Sequence, residues 1–420
     1  MQESEWQLKI SKFQELCEYF SGGYEDDSKY DELKAKILSF NPKLVVFYLA
    51  LPPSVFIPVS QRIATRISNK SFETRLVVEK PFGKDSFSSA ELSLALSCFF
   101  TESQIYRIDH YLGKEMVKNM LILRFANVFF DAVWDCKHIS NVQITFKETI
   151  GVEGRGGYFD EFGIIRDVMQ NHLMQILCLI AMEKPKSMNS EHVRDEKVRV
   201  LRKIKPLTLD DIIVGQYGPN SEGSKKGYLQ DDTVPENSRA ATFAAAVLYV
   251  DDVRWRNVPF ILKCGKALNE QKAEIRIQFQ DVPNSLFASS ELARNELVIR
   301  VQPNEAVYMK IVAKKPGLES STVISELDLS YSSRYSEVRI PDAYESLVLD
   351  VLKGDHSNFV RDDELEAAWK IFTPILKELE SVQPEIYPYG SRGPSSVNEL
   401  IEKAGFQRAT KEYIWHQTKL

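Results

Sequence analysis

The sequence predicts two successive architectures. An α/β segment supplies the C-terminal half of a doubly wound parallel sheet, and an α+β segment then builds a large, mostly antiparallel sheet covered by helices. Two observations carry this reading. Apolar runs in the first hundred residues are short, continuous and stopped abruptly, as strands buried on both faces are, and helical patterns separate them. Beyond about residue 115 the runs lengthen and alternate in polarity with fewer helices between them, as strands with one covered face do.

Residues 6–20 and 29–39 read as helices, and Lys43-Leu-Val-Val-Phe-Tyr-Leu-Ala-Leu51 is an apolar strand ended by Pro52-Pro53. A helix near 54–69 leads to Thr74-Arg-Leu-Val-Val-Glu79, stopped at Lys80-Pro81, and a helix near 86–100 leads to Gln104-Ile-Tyr-Arg-Ile108, stopped at Asp109-His110. This is βαβαβ, the second half of a Rossmann-like doubly wound sheet. The alternating strands that follow are Asn141–Ile150, Thr242–Val250, Phe260–Lys266, Ala273–Gln280, Leu297–Val301 and Ala306–Ala313. Helices near 115–130, 160–182, 342–353, 362–380 and 395–404 would cover one face of their sheet, and Tyr217–Ser238 reads as a mobile surface loop.

Composition narrows the function. The 420 residues are 44% hydrophobic and 27% charged, an ordinary globular balance that allows two or three domains without disulfides or structural metal. A net charge of −6 argues against a general nucleic-acid or membrane-surface binder, which would need a basic excess. Cys17, Cys98, Cys136, Cys178 and Cys264 are widely spaced without a C-x-x-C pair and read as reduced thiols. The opening Met1-Gln-Glu-Ser-Glu-Trp6 lacks the basic start and apolar segment of a targeting signal, and no run approaches the roughly 18 apolar residues of a membrane span. A cytoplasmic protein is expected, with neither nucleic acid nor membrane as partner and no metal site.

In open α/β sheets, ligands bind beyond the carboxyl ends of the strands. Lys80, the Asp109-His110-Tyr111 cluster and Lys114 behind Gly113 all fall there. Singly, each is compatible with a capping or solvated residue. Together they favour a site for an anionic, hydroxylated ligand, because Lys and His supply charged donors and a preceding glycine lets backbone approach. His172, on an otherwise apolar helix, reads by itself either as a core histidine or as a base. No G-x-x-x-x-G-K-[ST], G-x-S-x-G or H-E-x-x-H occurs, which disfavours nucleotide hydrolases, serine esterases and zinc proteases.

Four motifs carry a family resemblance: Arg107-Ile-Asp-His-Tyr-Leu-Gly-Lys114, Glu79-Lys-Pro-Phe-Gly-Lys84, Gly154-Arg-Gly-Gly-Tyr-Phe-Asp-Glu161 and Cys264-Gly-Lys-Ala-Leu-Asn-Glu270. From about residue 41 to the C-terminus the chain resembles glucose-6-phosphate dehydrogenase. The resemblance implies oxidation of glucose 6-phosphate at C1 with NADP as hydride acceptor, the first step of the pentose phosphate pathway, and a homodimer or homotetramer. It implies residues 1–114 as a partial coenzyme domain and 115–420 as a substrate and dimerisation domain. His172 matches the family's base and Asp109 the carboxylate that holds its tautomer. His110, Tyr111 and Lys114 match the residues that hold the sugar phosphate, with Lys266 and Gln271 also on the substrate. Glu148 and Asp167 match carboxylates that accept from sugar hydroxyls. Lys80 matches a lysine between sugar and coenzyme, and its bond to Pro81 resembles one that is cis in the family. The glycines of Gly151–Gly157 imitate a dinucleotide fingerprint, but better suit a tight turn that aims Glu148 and the Asp167–His172 helix at the site.

The resemblance has gaps. The Gly-rich G-x-x-G-D-L turn that cradles the NADP pyrophosphate in the family is not found, so the chain is expected to be a fragment, a short isoform or a mis-set start, inactive alone. A non-catalytic subunit that keeps the sugar-phosphate pocket and the dimer interface is the alternative. Phe56 stands where many members place Tyr against the coenzyme, and Gln271 where a basic residue is common. A second, stabilising NADP site is also implied. Lys147, Lys263, Lys272, Arg276, Arg300, Lys310 and Arg392 lie on or beside the later strands, where like charges repel unless an anion joins them. With Tyr308, Asp328 and Trp415 they match the family's structural-NADP residues.

Overall fold

The computed structural model describes residues 3–287, 292–318 and 321–407. The chain divides into two units, one holding the residues up to Glu79 with Glu91–Ile105, the other Lys80–Ala90 with the residues from Tyr106 onward.

The first unit contains α1 (Glu3–Glu15), α2 (Asp27–Ser39), β1 (Leu44–Leu49), α3 (Phe56–Arg62), β2 (Glu73–Val78) and most of α4 (Ser86–Ser97). The apolar runs pair as expected: β1 and β2 are parallel, in register from Leu44 opposite Glu73 to Leu49 opposite Val78. Asp26 caps α2 by accepting from the backbone N–H of Ser28, and Asp27 ties that helix to Arg62 of α3 at 3.0 Å. Phe56, Val59, Ile63, Ile67, Leu76 and Val78 form this unit's core.

The second unit runs through β3 (Ile105–Ile108), α5 (Glu115–Phe125), α6 (Val128–Val133), β4 (Ile139–Lys147), α7 (Gly156–Ile164), α8 (Met174–Ala181), α9 (Ser190–Arg202), β5 (Ile212–Gly218), β6 (Phe243–Tyr249), β7 (Pro259–Gly265) and β8 (Lys272–Phe279). It continues through β9 (Glu296–Gln302), β10 (Ala306–Lys314), β11 (Thr322–Ser330), α10 (Tyr331–Arg334), α11 (Ala343–Lys353), β12 (Phe359–Val360), α12 (Asp362–Leu379), β13 (Glu385–Pro388) and α13 (Val397–Lys403). Among the described residues, nine strands form one sheet in the order β11-β10-β9-β8-β4-β7-β6-β5-β13, antiparallel except for β4 with β7 and β5 with β13. The short β12 pairs antiparallel with β3.

The pleat sorts β4 into two faces. Val142, Ile144 and Phe146 alternate with Gln143, Thr145 and Lys147, and the polar set lies opposite Arg276, Glu274 and Lys272 of β8. Every residue of α8 is buried, so the carbonyls at its C-terminal end need internal donors. Arg124 donates to Leu179 and Met182, Trp134 Nε1 to Ile180, and Trp255 Nε1 to Ala181, at 2.7–2.9 Å. No helix among the described residues is long and apolar enough to cross a membrane.

The stretch read as a mobile surface loop is largely exposed but is pinned at points along its length. Tyr228 is fully buried and its hydroxyl donates to Asp160 at 2.8 Å, while Asp231 accepts from the Gly154 N–H at 2.9 Å. Its Gly, Ser and Asn content marks irregular backbone, and irregular backbone can still be pinned by side chains. The helix α9 and the strands β5, β11 and β13 were also not foreseen. In β11 exposed Val323 and Leu327 share the strand with Glu326 and Asp328, so its polarity pattern is blurred at the sheet edge.

Candidate active site

The end of β3 turns sharply. The N–H groups of Leu112, Gly113 and Lys114 bond the carbonyls of Asp109, His110 and Tyr111, and Asp109 Oδ1 accepts from the Tyr111 N–H at 3.0 Å. An aspartate that bonds backbone two residues on is what fixes such a turn. Gly113 serves it differently from the expectation. A Cβ there would stand 2.5 Å from the Ala343 carbonyl oxygen, so the backbone that approaches this glycine is the start of α11, not a ligand.

The expected 160–182 helix is broken into three pieces. Gly163 (φ 66°) ends α7, the Ile164 N–H bonds the Ala241 carbonyl at 2.9 Å, and Ile165–Leu173 continues as a π-helix before α8. Asp167 and His172 are five residues apart. In an α-helix that spacing would turn them about 140° from one another, whereas the wider turn of i→i+5 bonding brings them toward a common face. Asn171 reinforces the turn by donating to the Arg166 and Asp167 carbonyls at 3.2 and 3.1 Å and accepting from the His172 N–H at 2.7 Å. Asp167 accepts Lys80 at 3.0 Å on its carboxylate and 2.8 Å on its carbonyl, and the Lys80–Pro81 peptide is cis.

His172 Nδ1 and Asp109 Oδ1 meet at 2.6 Å, both side chains almost wholly buried. Burial pushes the Asp109 carboxyl up, but the His172 ring and its hydrogen bond outweigh that and hold it at about 2. Burial lowers His172, partly opposed by Asp109. The pair is therefore a carboxylate accepting Nδ1–H from a neutral imidazole, which leaves the lone pair on Nε2. Tyr111 stacks on His172 with centroids 4.5 Å apart, and His110 meets the same ring edge-on at 4.5 Å. Burial, and behind it the neighbouring His172 ring, drive His110 down to about 3. Lys114 lies 5.2 Å from the Tyr111 ring centroid, lowered by burial and partly restored by Asp342 and Glu305.

The parallel pairing of β4 and β7 supplies a second ion pair. Lys147 lies opposite Gly265, so the next residues, Glu148 and Lys266, leave adjacent strands together and bond at 2.6 Å. Burial raises Asp167, but Lys80 and then Lys266 hold it ionised below its usual range. Glu148, behind burial, helps hold the Tyr111 phenol protonated. Lys80, Asp109, His110, Tyr111, Lys114, Glu148, Asp167, His172 and Lys266 are thus gathered in electrostatic reach of one another. Gln271 stands exposed just before β8, between residues that face elsewhere. Phe56 is fully buried in the first unit.

Those neighbours, Glu270 and Lys272, face a cavity of about 1030 Å³ on the polar side of the sheet. Lys147, Lys263, Lys272, Arg276, Arg300, Tyr308, Lys310 and Arg392 all line it, and Asp328 lies opposite Tyr308 in the β10–β11 register. Trp415 lies outside the described residues. Three carboxylates not foreseen stand among the cations: Lys147 pairs with Glu270 at 2.9 Å, Arg276 with Glu274 at 3.0 Å, and Lys310 with Glu296 at 2.9 Å. The like charges are therefore not joined by an anion alone. With Arg294 the lining still carries eight basic side chains against three acids, a surplus that fits a polyphosphate. Sequence reasoning also missed Tyr344, stacked on His110 at 5.8 Å from a helix far along the chain, and Asn171, which sits inside a motif already singled out.

Comparison with known proteins bears on both units. Residues 1–119 match the glucose-6-phosphate dehydrogenase NAD binding domain, and residues 121–416 match the glucose-6-phosphate dehydrogenase C-terminal domain. A glucose-6-phosphate 1-dehydrogenase of Emericella nidulans is 56% identical over 406 residues, covering 95% of this chain and 79% of its own. A cytoplasmic glucose-6-phosphate 1-dehydrogenase of Arabidopsis thaliana is 54% identical over 419 residues, 97% of this chain and 80% of its own. A solved glucose-6-phosphate dehydrogenase in complex with its substrate glucose-6-phosphate superposes with a TM-score of 0.92 at 50% identity, covering 96% of this chain and 85% of that one. Likeness at that identity and over both matched domains leaves one assignment for the parallel half-sheet, the large mixed sheet and the motifs that bring His172 to Asp109: the chain belongs to the glucose-6-phosphate dehydrogenases, a family of oxidoreductases using a nicotinamide coenzyme.

Proposed function

We propose that the site oxidises glucose 6-phosphate at C1 to 6-phosphogluconolactone with NADP as acceptor, the first step of the pentose phosphate pathway, in the cytoplasm and within a homodimer or homotetramer. The observation that supports it most is the 2.6 Å contact between a buried imidazole and a buried carboxylate. His172 Nε2 takes the proton of the C1 hydroxyl as hydride leaves, and Asp109 stabilises the imidazolium that forms. Lys114 contributes the fixed charge for the phosphate, while neutral His110 and the Tyr111 phenol contribute hydrogen bonds. Glu148 and Asp167 accept from sugar hydroxyls, each carboxylate oriented by its lysine. The nicotinamide coenzyme supplies the hydride acceptor when bound, and Lys80 is the site residue that would reach it.

Residues 1–114 are assigned to coenzyme and 115–420 to substrate and dimerisation. The cationic cavity is assigned to a second, stabilising NADP held by Lys147, Lys263, Lys272, Arg276, Arg300, Tyr308, Lys310 and Arg392, with Asp328 and Trp415. The test of the main reading is NADPH formation from glucose 6-phosphate, with glucose 1-phosphate, which has no free C1 hydroxyl, as the control. It is run on these 420 residues and on the same chain preceded by a segment bearing G-x-x-G-D-L. The extended chain is expected to reduce NADP with the first sugar only, and the 420 residues alone to be silent. Failure of the extended chain would overturn the function, and robust turnover by the 420 residues would overturn the requirement for that turn.

A further inference from the structure

Asp109 has one oxygen that the dyad does not use. Oδ1 receives both His172 Nδ1 and the Tyr111 N–H, whereas Oδ2 is buried with no hydrogen-bond partner among the described residues. A buried carboxylate oxygen without a donor is costly, and in folded proteins such an orphan marks an ordered water or ion. Asp109 also lines a small cavity of about 20 Å³ together with Gln170, Gln175 and Glu364. One water needs roughly 10–15 Å³ by that measure, together with polar partners.

Gln175 and Glu364 belong to a buried cluster that the proposed chemistry leaves unused. Lys197 of α9 and Glu364 of α12 pair at 2.9 Å with neither side chain exposed. Lys197 donates to Gln175 Oε1 at 3.0 Å, and Gln175 Nε2 donates to Glu364 Oε2 at 3.3 Å. An ammonium only donates and a carboxylate only accepts, so the pair permits one orientation of the amide. Flipped, the NH₂ would face Lys197 and the oxygen would face Glu364. The amide nitrogen carries two hydrogens, and one remains after Glu364 is served. A water that accepts it keeps both of its own hydrogens to donate.

We propose that one ordered water occupies this cavity, accepting from Gln175 Nε2 and donating to Asp109 Oδ2, so that Gln175, oriented by the Lys197–Glu364 pair, is a positioning residue for the His172–Asp109 dyad. The proposal deepens, and rests on, the reading of that dyad as the catalytic base. The polarity runs one way: Lys197 to Gln175, Gln175 to water, water to Asp109. A hydrogen bond donated to Oδ2 favours the ionised carboxylate and keeps Oδ1 aimed at Nδ1.

Two measurements on the substrate-free chain test it without turnover. A crystal structure that resolves ordered waters is expected to show a water within hydrogen-bond distance of both Asp109 Oδ2 and Gln175 Nε2, and an empty cavity, or a water touching neither, overturns the proposal. In the second, the His172 ring is titrated by NMR in histidine-labelled protein. Gln175→Met keeps the bulk but removes the donor, leaving a more basic carboxylate that holds the imidazolium more tightly. The His172 midpoint should rise by about one pH unit, the scale of one hydrogen bond to a charged group. Ile176→Val, on the same buried helix, should not move it. A folded Gln175→Met chain with an unshifted midpoint overturns the positioning role. If Gln175→Met does not fold, the water position in the parent protein still decides. The underlying reading fails separately, through unimpaired turnover in His172→Asn, an outcome that would leave the water and the titration untouched.

Discussion

At His172 the direction of the pH response follows from burial. Its pKa lies below the ordinary 6.5, and a general base acts only when unprotonated, so the acid limb of kcat/KM is predicted to fall below about pH 6.5. Asp109→Asn removes the carboxylate that opposes this shift, and its limb should move lower still with a reduced kcat; a limb displaced upward would contradict the electrostatics. The same residues set a stability response. His110, at about 3, and His172 both have folded pKa values depressed below the unfolded one, so the unfolded chain takes up protons first. Their contribution is fully present above about pH 6.5 and is lost as pH falls toward the folded values, with a slope of up to about 1.4 kcal/mol per pH unit for each group. Urea midpoints should therefore drop between about pH 7.5 and 5, and less in His110→Asn. Lys114→Ala should raise KM for glucose 6-phosphate about tenfold or more with kcat little changed, because a charge-assisted hydrogen bond contributes roughly 1.5–3 kcal/mol in ground and transition state alike. A loss in kcat alone would remove Lys114 from phosphate binding.

At the scale of elements, the site depends on two local breaks in regular structure. Gly163 lets the chain leave α7 at positive φ, and the π-helix that follows turns Asp167 and His172 to a common side. Gly113 lets α11 close on the turn after β3. Gly113→Ala is predicted to push the Ala343 carbonyl away, costing about 1–3 kcal/mol and raising KM through the neighbouring His110–Lys114 turn. Thermal melts and steady-state kinetics would check both, and an unchanged KM would show that the turn does not depend on α11. These breaks explain what could be read in advance. The apolar stripe of 160–182 announced a helix, and the Pro- and Lys-terminated runs announced the parallel strands with Lys80 and Asp109 at their ends. Neither periodicity nor composition distinguishes a π-helix from an α-helix, because the difference lies in which carbonyl each N–H selects. Likewise Tyr344 reaches His110 from a distant helix, a contact no local pattern reports.

At the scale of the molecule, charge is arranged in two separate concentrations. One surrounds the dyad, with Lys80 matched to Asp167 and Lys266 to Glu148, and the other is the cavity on the polar face of the nine-stranded sheet. Its basic residues were visible in the sequence by their alternation along β8, β9 and β10. Glu270 and Glu296 were not recognised as partners of Lys147 and Lys310, since those meetings depend on the register of separate strands, whereas Glu274 stands two residues from Arg276 on the same face of β8, where alternation alone reports the pair. A ligand that binds only the folded protein adds RT ln(1 + [L]/Kd), about 2.7 kcal/mol at a hundredfold excess over Kd. NADP should therefore raise the melting temperature, and the rise should shrink in Arg276→Ala and Arg300→Ala. No rise at millimolar NADP would refute the second site. The central claim, that the buried imidazole is the base, is tested most directly by steady-state kinetics of His172→Asn in the chain that turns over. The account predicts kcat lower by at least about 10²-fold with KM for glucose 6-phosphate nearly unchanged. A kcat within a few-fold of the parent, or a loss confined to KM, would contradict it.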